Sequence, residues 1–445
     1  MSIGLITWIA FIGAFLLIVL LHEGGHFIAA RLSGIEVEEF GIGLPPRLWR
    51  FWRSRGWLQI GKHRLEIPPN TDLPFDPQAT VGQRMNAIAR REGEQWILVR
   101  IAQLSENEPI PENPEPQPLE DGLWKITGTL QETHLGTEYT LNALPLGGFV
   151  RPRGENNPSI PGGLAAASPW RRLFVLSAGA FMNLVLGVLV YALIVSRSGI
   201  PQPIVYIEEV MPASPAAQSG LLAGDRLVSI NGQPIQNMAQ ARSVIYANLD
   251  RPVEIVIERN GQTLRLSAVP SSQRGEQGAL GILMRQPFAR PSSWITALSY
   301  GARATGAYIR QMLTLPALWL RGQISAEEGR LIGLRGIFDF FSQAVEIDVT
   351  QQTTPTPPSP TEETLPPPSR TLALIASLTI TIGLFNLFPI PALDGGRILF
   401  VLAEIISRRR VPPELENKIH LVGLALLLLL MFYVNLMDFI NPVRP

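Results

Sequence analysis

Four stretches of the chain carry no charged residue and are almost wholly apolar: 3–21, 173–195, 371–393 and 421–437. About 20 apolar residues cross a bilayer at 1.5 Å of rise each. The first three runs are long enough alone, and the fourth is long enough with its flanks Ile419 and Phe439. The pattern therefore predicts transmembrane helices at 1–32, 171–197, 371–407 and 417–440. Between the second and third runs the period shortens. Residues 203–270 read as strand 205–210, short helix 215–221, strand 225–232 ending in Asn231-Gly232, helix 236–249, and a hairpin around Asn260-Gly261. Residues 271–348 hold no charge-free run. Their amphipathic segments at 308–320 and 338–345 are expected on the membrane surface or packed on the preceding module. Residues 349–370 are a Pro/Thr-rich linker.

The first connection, 33–170, is polar. It holds strand-like patches at 95–101 and 123–129 around a Pro-rich, acidic stretch at 108–119, so 51–135 reads as either a small extra sheet or a partly ordered loop. Residues 136–150 alternate and then break at Pro145 and Gly147-Gly148, which predicts a β-hairpin.

Charge sets the orientation. The loop between runs three and four carries Arg397, Arg408, Arg409 and Arg410, and the segments flanking the first connection are also rich in Arg. Both connections are expected in the cytoplasm. Both termini and the 203–270 module are then extracytoplasmic. The first run lacks a basic leader and an A-x-A site, so it reads as a retained span.

Composition narrows the class further. Charged residues are 17% of the 445, against roughly 25% in an average soluble domain. Lys+Arg and Asp+Glu are 37 each, which leaves no basic footprint for nucleic acid. With no cysteine, disulfides, thiolate metal sites and a Cys nucleophile are excluded. Any metal must be held by carboxylates and by the five histidines, His22, His26, His63, His134 and His420.

His22-Glu23-Gly24-Gly25-His26 places two imidazoles at i and i+4, on one helix face. Two such imidazoles ligate one Zn²⁺, and the intervening Glu is set to take a proton from its water. The motif lies inside the first apolar run, where ionisable residues are costly and functional by default. A third protein ligand is needed, and Asp394 is the candidate. Runs one and three cross in the same direction, so His22 and Asp394 both arrive near the cytoplasmic leaflet. Pro389, Pro391 and Gly395-Gly396 would break the helix there. Asn183 is a second polar residue within a span, beside the small residues Ala178, Gly179 and Ala180. It can face the site and meet substrate, or make an interhelical hydrogen bond with no catalytic role. His63, His134 and His420 have no partner at ligand spacing and read as surface or interface residues. An ion pathway would spread ionisable groups through the membrane, whereas these cluster at one depth.

These residues resemble the site-2 protease family of intramembrane zinc metalloproteases, in the bacterial regulator-of-sigma-E-protease type with one PDZ domain. The resemblance rests on His22-Glu23-x-x-His26, Phe40-Gly-Ile-Gly43, Gly136-Thr-Glu-Tyr139, Pro145-Leu-Gly-Gly-Phe149 and Asn386-x-x-Pro389-x-Pro391-x-Leu-Asp394-Gly. The 212–232 stretch looks like part of a PDZ domain. The resemblance implies a polytopic α-helical membrane protein of four transmembrane helices, with an inserted extracytoplasmic PDZ (α/β) domain and a membrane-associated β-hairpin at 136–150. It implies His22, His26 and Asp394 as Zn²⁺ ligands, Glu23 as catalytic base, and Asn386 as a residue that accommodates substrate. The expected function is hydrolysis of peptide bonds within transmembrane segments, in the inner membrane, with the active site near the cytoplasmic leaflet. Expected partners are the lipid bilayer and single-span membrane proteins such as anti-sigma factors or remnant signal peptides. The chain departs from the family in the long 51–135 insertion, in Gly179-Ala180 where Gly-Pro is usual, and in Arg335 within Gly333-Leu-Arg-Gly-Ile337.

Overall fold

A computed structural model of the chain describes residues 3–76, 80–104, 115–273, 278–322, 330–353 and 365–441. The first apolar run is helix α1 (Ile3–Leu32). Strand β1 (Val37–Arg53) follows and folds back on itself near 43–47, because strand β8 (Glu138–Pro152) pairs with it along two registers. Phe40 lies opposite both Val150 and Tyr139, so the 37–44 arm sits between the 148–152 and 138–144 arms of β8. The 136–150 segment is therefore not a hairpin closed on itself. Its two arms are held apart by a third strand, and Arg47 to Arg53 cover the far edge, with Arg50 opposite Thr140.

Between β1 and β8 lie β2 (Gly56–Ile60), β3 (His63–Ile67), β4 (Arg84–Glu92), β5 (Gln95–Gln103), β6 (Gln117–Pro118) and β7 (Leu123–His134). β2 pairs with β3, β3 runs parallel to β5, β5 pairs with β4, and β4 pairs with β7. β7 then changes partner past Thr129 and pairs with β2 from Leu130 onward, which closes the ring. The insertion is thus a closed five-stranded barrel, with β6 as a short edge piece on β7. Alternation at period two fills it with Leu58, Ile60, Leu65, Ile67, Met85, Leu98, Ile126 and Leu130. Most of the Pro-rich, acidic stretch at 108–119 lies outside the described residues.

A charge clamp joins the barrel to the β1–β8 sheet. Glu138 pairs with Arg47 at 2.6 Å, with Arg50 at 3.3 Å and with Arg53. Arg50 and Arg53 also meet Asp72, at 2.8 and 3.1 Å. Burial pushes the Glu138 carboxyl up, but the three guanidinium groups outweigh it and hold it below the usual carboxylate range.

Helix α2 (Pro169–Ser198) is the second long apolar helix. The chain divides into two units, one of 1–187, 305–350 and 374–445, the other of 188–304 and 351–373. In the second unit come β9 (Ile200–Pro201), β10 (Val205–Val210), α3 (Pro215–Gln218), β11 (Arg226–Ile230), β12 (Gln233–Pro234), α4 (Met238–Ala247), β13 (Val253–Arg259), β14 (Gln262–Ala268), β15 (Ile282–Arg285) and β16 (Phe288–Ala289). The sheet order is β14-β13-β11-β10-β15. Ser214 and Asn237 cap the two helices. The sheet takes in β15, so this module extends beyond the 203–270 bounds read from sequence, to Arg285.

Helix α5 (Trp294–Leu320) follows, then α6 (Leu334–Thr353), whose Phe338 and Phe341 pack on Trp8 and Phe11 of α1. Most of the 349–370 linker lies outside the described residues. The span predicted over 371–407 is not one helix. It forms α7 (Arg370–Asn386), an irregular turn, and α8 (Asp394–Ser407), because Pro389 and Pro391 cannot continue the ladder. Helix α9 (Pro413–Ile440) completes the chain. Its buried Asp438 accepts hydrogen bonds from the Gly333 and Gly336 N–H groups at 2.7 and 3.3 Å and pairs with Arg330, so it caps α6. Helices α1, α2 and α9 are long and apolar enough to cross a membrane, whereas α7, at 17 residues, is apolar but shorter.

His134, at the end of β7, is buried beside Glu36 at 3.5 Å. Burial drives its pKa down, Glu36 opposes this, and Arg153, Arg31 and Arg64 reinforce it, leaving the imidazole at about 4. The unfolded chain takes up that proton near 6.5. Between the two values the unfolded state binds more protons, so stability falls as the pH drops from 6.5 toward 4 and levels off below. Thermal unfolding of the purified protein should show this fall, and His134→Gln should flatten it. An equal fall in the variant would assign the acid sensitivity elsewhere.

Candidate metal centre

On α1, His22 and His26 occupy one face, with ring centroids 4.8 Å apart and planes at 81°. That face meets α2 without a cushion of side chains. A Cβ on Gly25 would lie 2.5 Å from the Ala178 carbonyl oxygen, and one on Gly179 would overlap Nε2 of His26 and the ring of His22. Small residues are what allow two spanning helices to approach this closely.

The third group comes from the break between α7 and α8. Asp394, the first residue of α8, brings Oδ2 to 3.2 Å from Nε2 of His22 and 3.4 Å from Nε2 of His26. The two Nε2 atoms are themselves 3.2 Å apart. Among the described residues, these three form a group able to hold a metal ion. The donor set fits zinc. A tetrahedral ion with N and O donors at about 2.0–2.2 Å requires them roughly 3.3–3.6 Å apart, and the three pairs here lie within 0.1 Å or so of that.

The surroundings fix the tautomers. Nδ1 of His26 donates to the Val175 carbonyl at 2.8 Å, which leaves Nε2 as the free lone pair. On His22, Nδ1 lies 3.3 Å from the Asn183 side-chain amide. The Asn183 Oδ1 atom is otherwise buried without a partner. Turned so that Oδ1 accepts from Nδ1–H, the amide fixes the His22 tautomer that leaves Nε2 free. Asn183 is fully buried and sits on the side of His22 away from Asp394. Its side chain makes the interhelical contact expected as one alternative, bridging α2 to the back of His22 on α1. Asn386, the last residue of α7, does reach the centre, with Nδ2 3.3 Å from Nε2 of His22.

Glu23 points between α1 and the 148–152 arm of β8. Its Cγ lies 3.5 Å from where a Gly148 Cβ would be, which sets the side chain beside that arm. Of the other histidines, His63 lies against Trp96 in the barrel and His134 is buried beside Glu36. His420 is not a bystander, since its Nδ1 accepts from the Ala392 N–H at 2.9 Å, two residues before Asp394. The sequence signal for it was an ionisable group at the edge of an apolar helix. The signal for Gly179 was the small-residue run of α2.

Comparison with known proteins bears on this geometry. The model of peptidase family M50 matches residues 10–59 and 128–430. The regulator of sigma-W protease RasP of Bacillus subtilis is 27% identical over 97% of this chain and 98% of its own length. The zinc metalloprotease RasP of Oceanobacillus iheyensis is also 27% identical, over 97% and 98%. Among solved structures, the PDZ domain of an SdrC-like protein from Listeria monocytogenes matches 18% of this chain and 85% of its own, at 22% identity and a TM-score of 0.16.

Gly179→Ala should force the imidazoles apart and strip zinc from the purified protein. Gly24→Ala, where nothing lies within 4 Å of the new Cβ, should not. Zinc content by elemental analysis reads both, and equal content in the two variants would contradict the packing.

Proposed function

We propose that this chain, which belongs to peptidase family M50 and is a zinc metalloprotease, hydrolyses peptide bonds within the transmembrane segments of other membrane proteins. The observation that carries the reading is the convergence of His22, His26 and Asp394 at the end of an apolar helix, with Glu23 on the same helix. A protease acting on soluble chains has no need to place its ligands there. The reading takes α7 with α1, α2 and α9 as four spans, and places the centre near the cytoplasmic leaflet and the 203–270 module outside. One named relative regulates sigma-W, which makes anti-sigma factors with a single span the first substrates to try.

Bound zinc supplies Lewis acidity, polarising the scissile carbonyl and acidifying water. His22, His26 and Asp394 hold it. Glu23 takes the proton from the attacking water and delivers it to the amine nitrogen as the C–N bond breaks. Oxygen goes to the carbonyl carbon and the proton to the leaving group, so no acyl-enzyme forms. A helical substrate has its carbonyls hydrogen-bonded and must be drawn out before attack. The 148–152 arm of β8 pairs on one side only among the described residues and lies beside Glu23. Its free edge suits an extended substrate strand. Asn386, beside Nε2 of His22, is placed to hydrogen-bond the substrate carbonyl. The 203–270 module, read as a PDZ domain, would screen substrates by their extracytoplasmic ends.

A tagged single-span protein with a short ectodomain, co-expressed in membranes, tests the reading. Wild type should release fragments cut within the span. Glu23→Gln should keep its zinc and lose at least about 10²-fold in rate. Asp394→Ala should lose both zinc and activity. Wild-type turnover by Glu23→Gln would falsify the assignment of the base.

A further inference from the structure

The segment that presents Asp394 is a tight turn under strain. The Leu393 N–H donates to the Ile390 carbonyl at 3.2 Å. Pro391 occupies the second position of this turn, and Ala392 the third, with φ of 76°. Proline followed by a positive φ is the type II pattern, whose third position favours glycine. An alanine there brings its Cβ against a carbonyl oxygen. Such a residue keeps its conformation only where its surroundings over-determine it.

The surroundings come from α9. The turn itself leaves the Ala392 N–H without an acceptor, and Nδ1 of His420 takes it at 2.9 Å. Three residues along the same helix face, Gly423 approaches Pro391 so closely that a Cβ would overlap it. Phe400 of α8 lies against the His420 ring at 5.7 Å. A ring that accepts at Nδ1 carries its proton on Nε2. That atom is buried and has no hydrogen-bond partner among the described residues, so among them the bond to Ala392 is the polar contact that sets the ring's place.

We propose that His420 is a positioning residue for the metal centre. Its Nδ1 lone pair fixes the Ala392 peptide, and through it the direction from which Asp394 presents its carboxylate to His22 and His26. The proposal rests on the reading that Asp394 ligates zinc, and it gives α9 a chemical task as the wall that holds the third ligand.

The test separates the acceptor from the bulk of the ring. Asparagine places an oxygen where Nδ1 lies, whereas leucine places none. Glutamine puts its amide nearer the position of Nε2. Zinc affinity of the purified protein is measured by competition with a chelator, and the visible spectrum after cobalt substitution reports the ligand geometry. His420→Leu and His420→Gln should lose about 10–100-fold in affinity, the range typical of groups that orient metal ligands, and should change the cobalt spectrum. His420→Asn should stay within about threefold of wild type with its spectrum kept. Wild-type affinity and spectrum in His420→Leu would overturn the proposal. So would an asparagine variant as weak as the glutamine one, since the ring's packing and not its acceptor would then matter. If His420→Leu fails to fold, the asparagine–glutamine pair decides alone. Asp394→Ala in the same titration reports separately on the ligand reading: undiminished affinity there would remove the premise and not the geometry.

Discussion

Everything at the centre depends on how closely α1 can come to α2. Two imidazoles and a carboxylate have to converge to within hydrogen-bond distance inside an apolar layer, where an unsatisfied polar group costs several kcal/mol. Gly25 and Gly179 remove the two side chains that would hold the helices apart. The same approach lets the Val175 carbonyl and the Asn183 amide reach the back of the rings. With ordinary side chains at these positions, the imidazoles would lose both their place and their tautomers. The glycines are thus as much a part of the centre as its ligands, although neither has an atom to donate.

The grouping of His22, His26 and Asp394 was legible in the sequence, and for the two histidines helix geometry leaves no freedom once spacing is given. His22 and His26 at i and i+4 share a face whatever surrounds them. Asp394 could be paired with them because the expected crossing direction and run length bring both to one leaflet. The supports were not legible, since each depends on a contact across a large separation in sequence. Asn183 shows the difference. Its position in a span was plain, but whether it faced substrate or the back of His22 turned on a helix rotation that the residues do not encode locally. His420 lies 28 residues from Ala392, and no spacing rule connects an imidazole to a backbone amide in a turn.

The β-rich connection was legible only in part: the extra sheet expected as one alternative for 51–135 is present, but its closure and the pairing of 136–150 were not foreseen. Alternation predicts a strand but not its partner. Residues 136–150 carry the turn residues of a hairpin, yet a strand from before the insertion enters between the two arms. The barrel escaped because its ring is closed by β7 changing partners midway, a long-range event. Its core alternates along β2, β3 and β4 and slips at a bulge in β5, where Leu98 and Ile101 are three apart, and the family model falls silent over 60–127, nearly the whole barrel. Insertion there leaves the sheet intact because its entry and exit are adjacent. Ser54 accepts the Thr137 N–H at 2.8 Å, and Arg53 and Glu138 pair across the neck.

That neck has a mechanical consequence. A barrel on a loose tether would move independently of the sheet. Here Arg50 and Arg53 each grip both Glu138 in β8 and Asp72 in the barrel, so the barrel and the 138–144 arm are bound through shared charges. The 148–152 arm of the same strand lies against Glu23. One strand therefore runs from the barrel's clamp to the arm beside Glu23, while His420 of α9 bonds the turn that precedes Asp394. The centre is assembled from elements far apart in sequence, each pinned by polar contacts, because apolar packing alone is too permissive to set donor atoms to within a few tenths of an ångström.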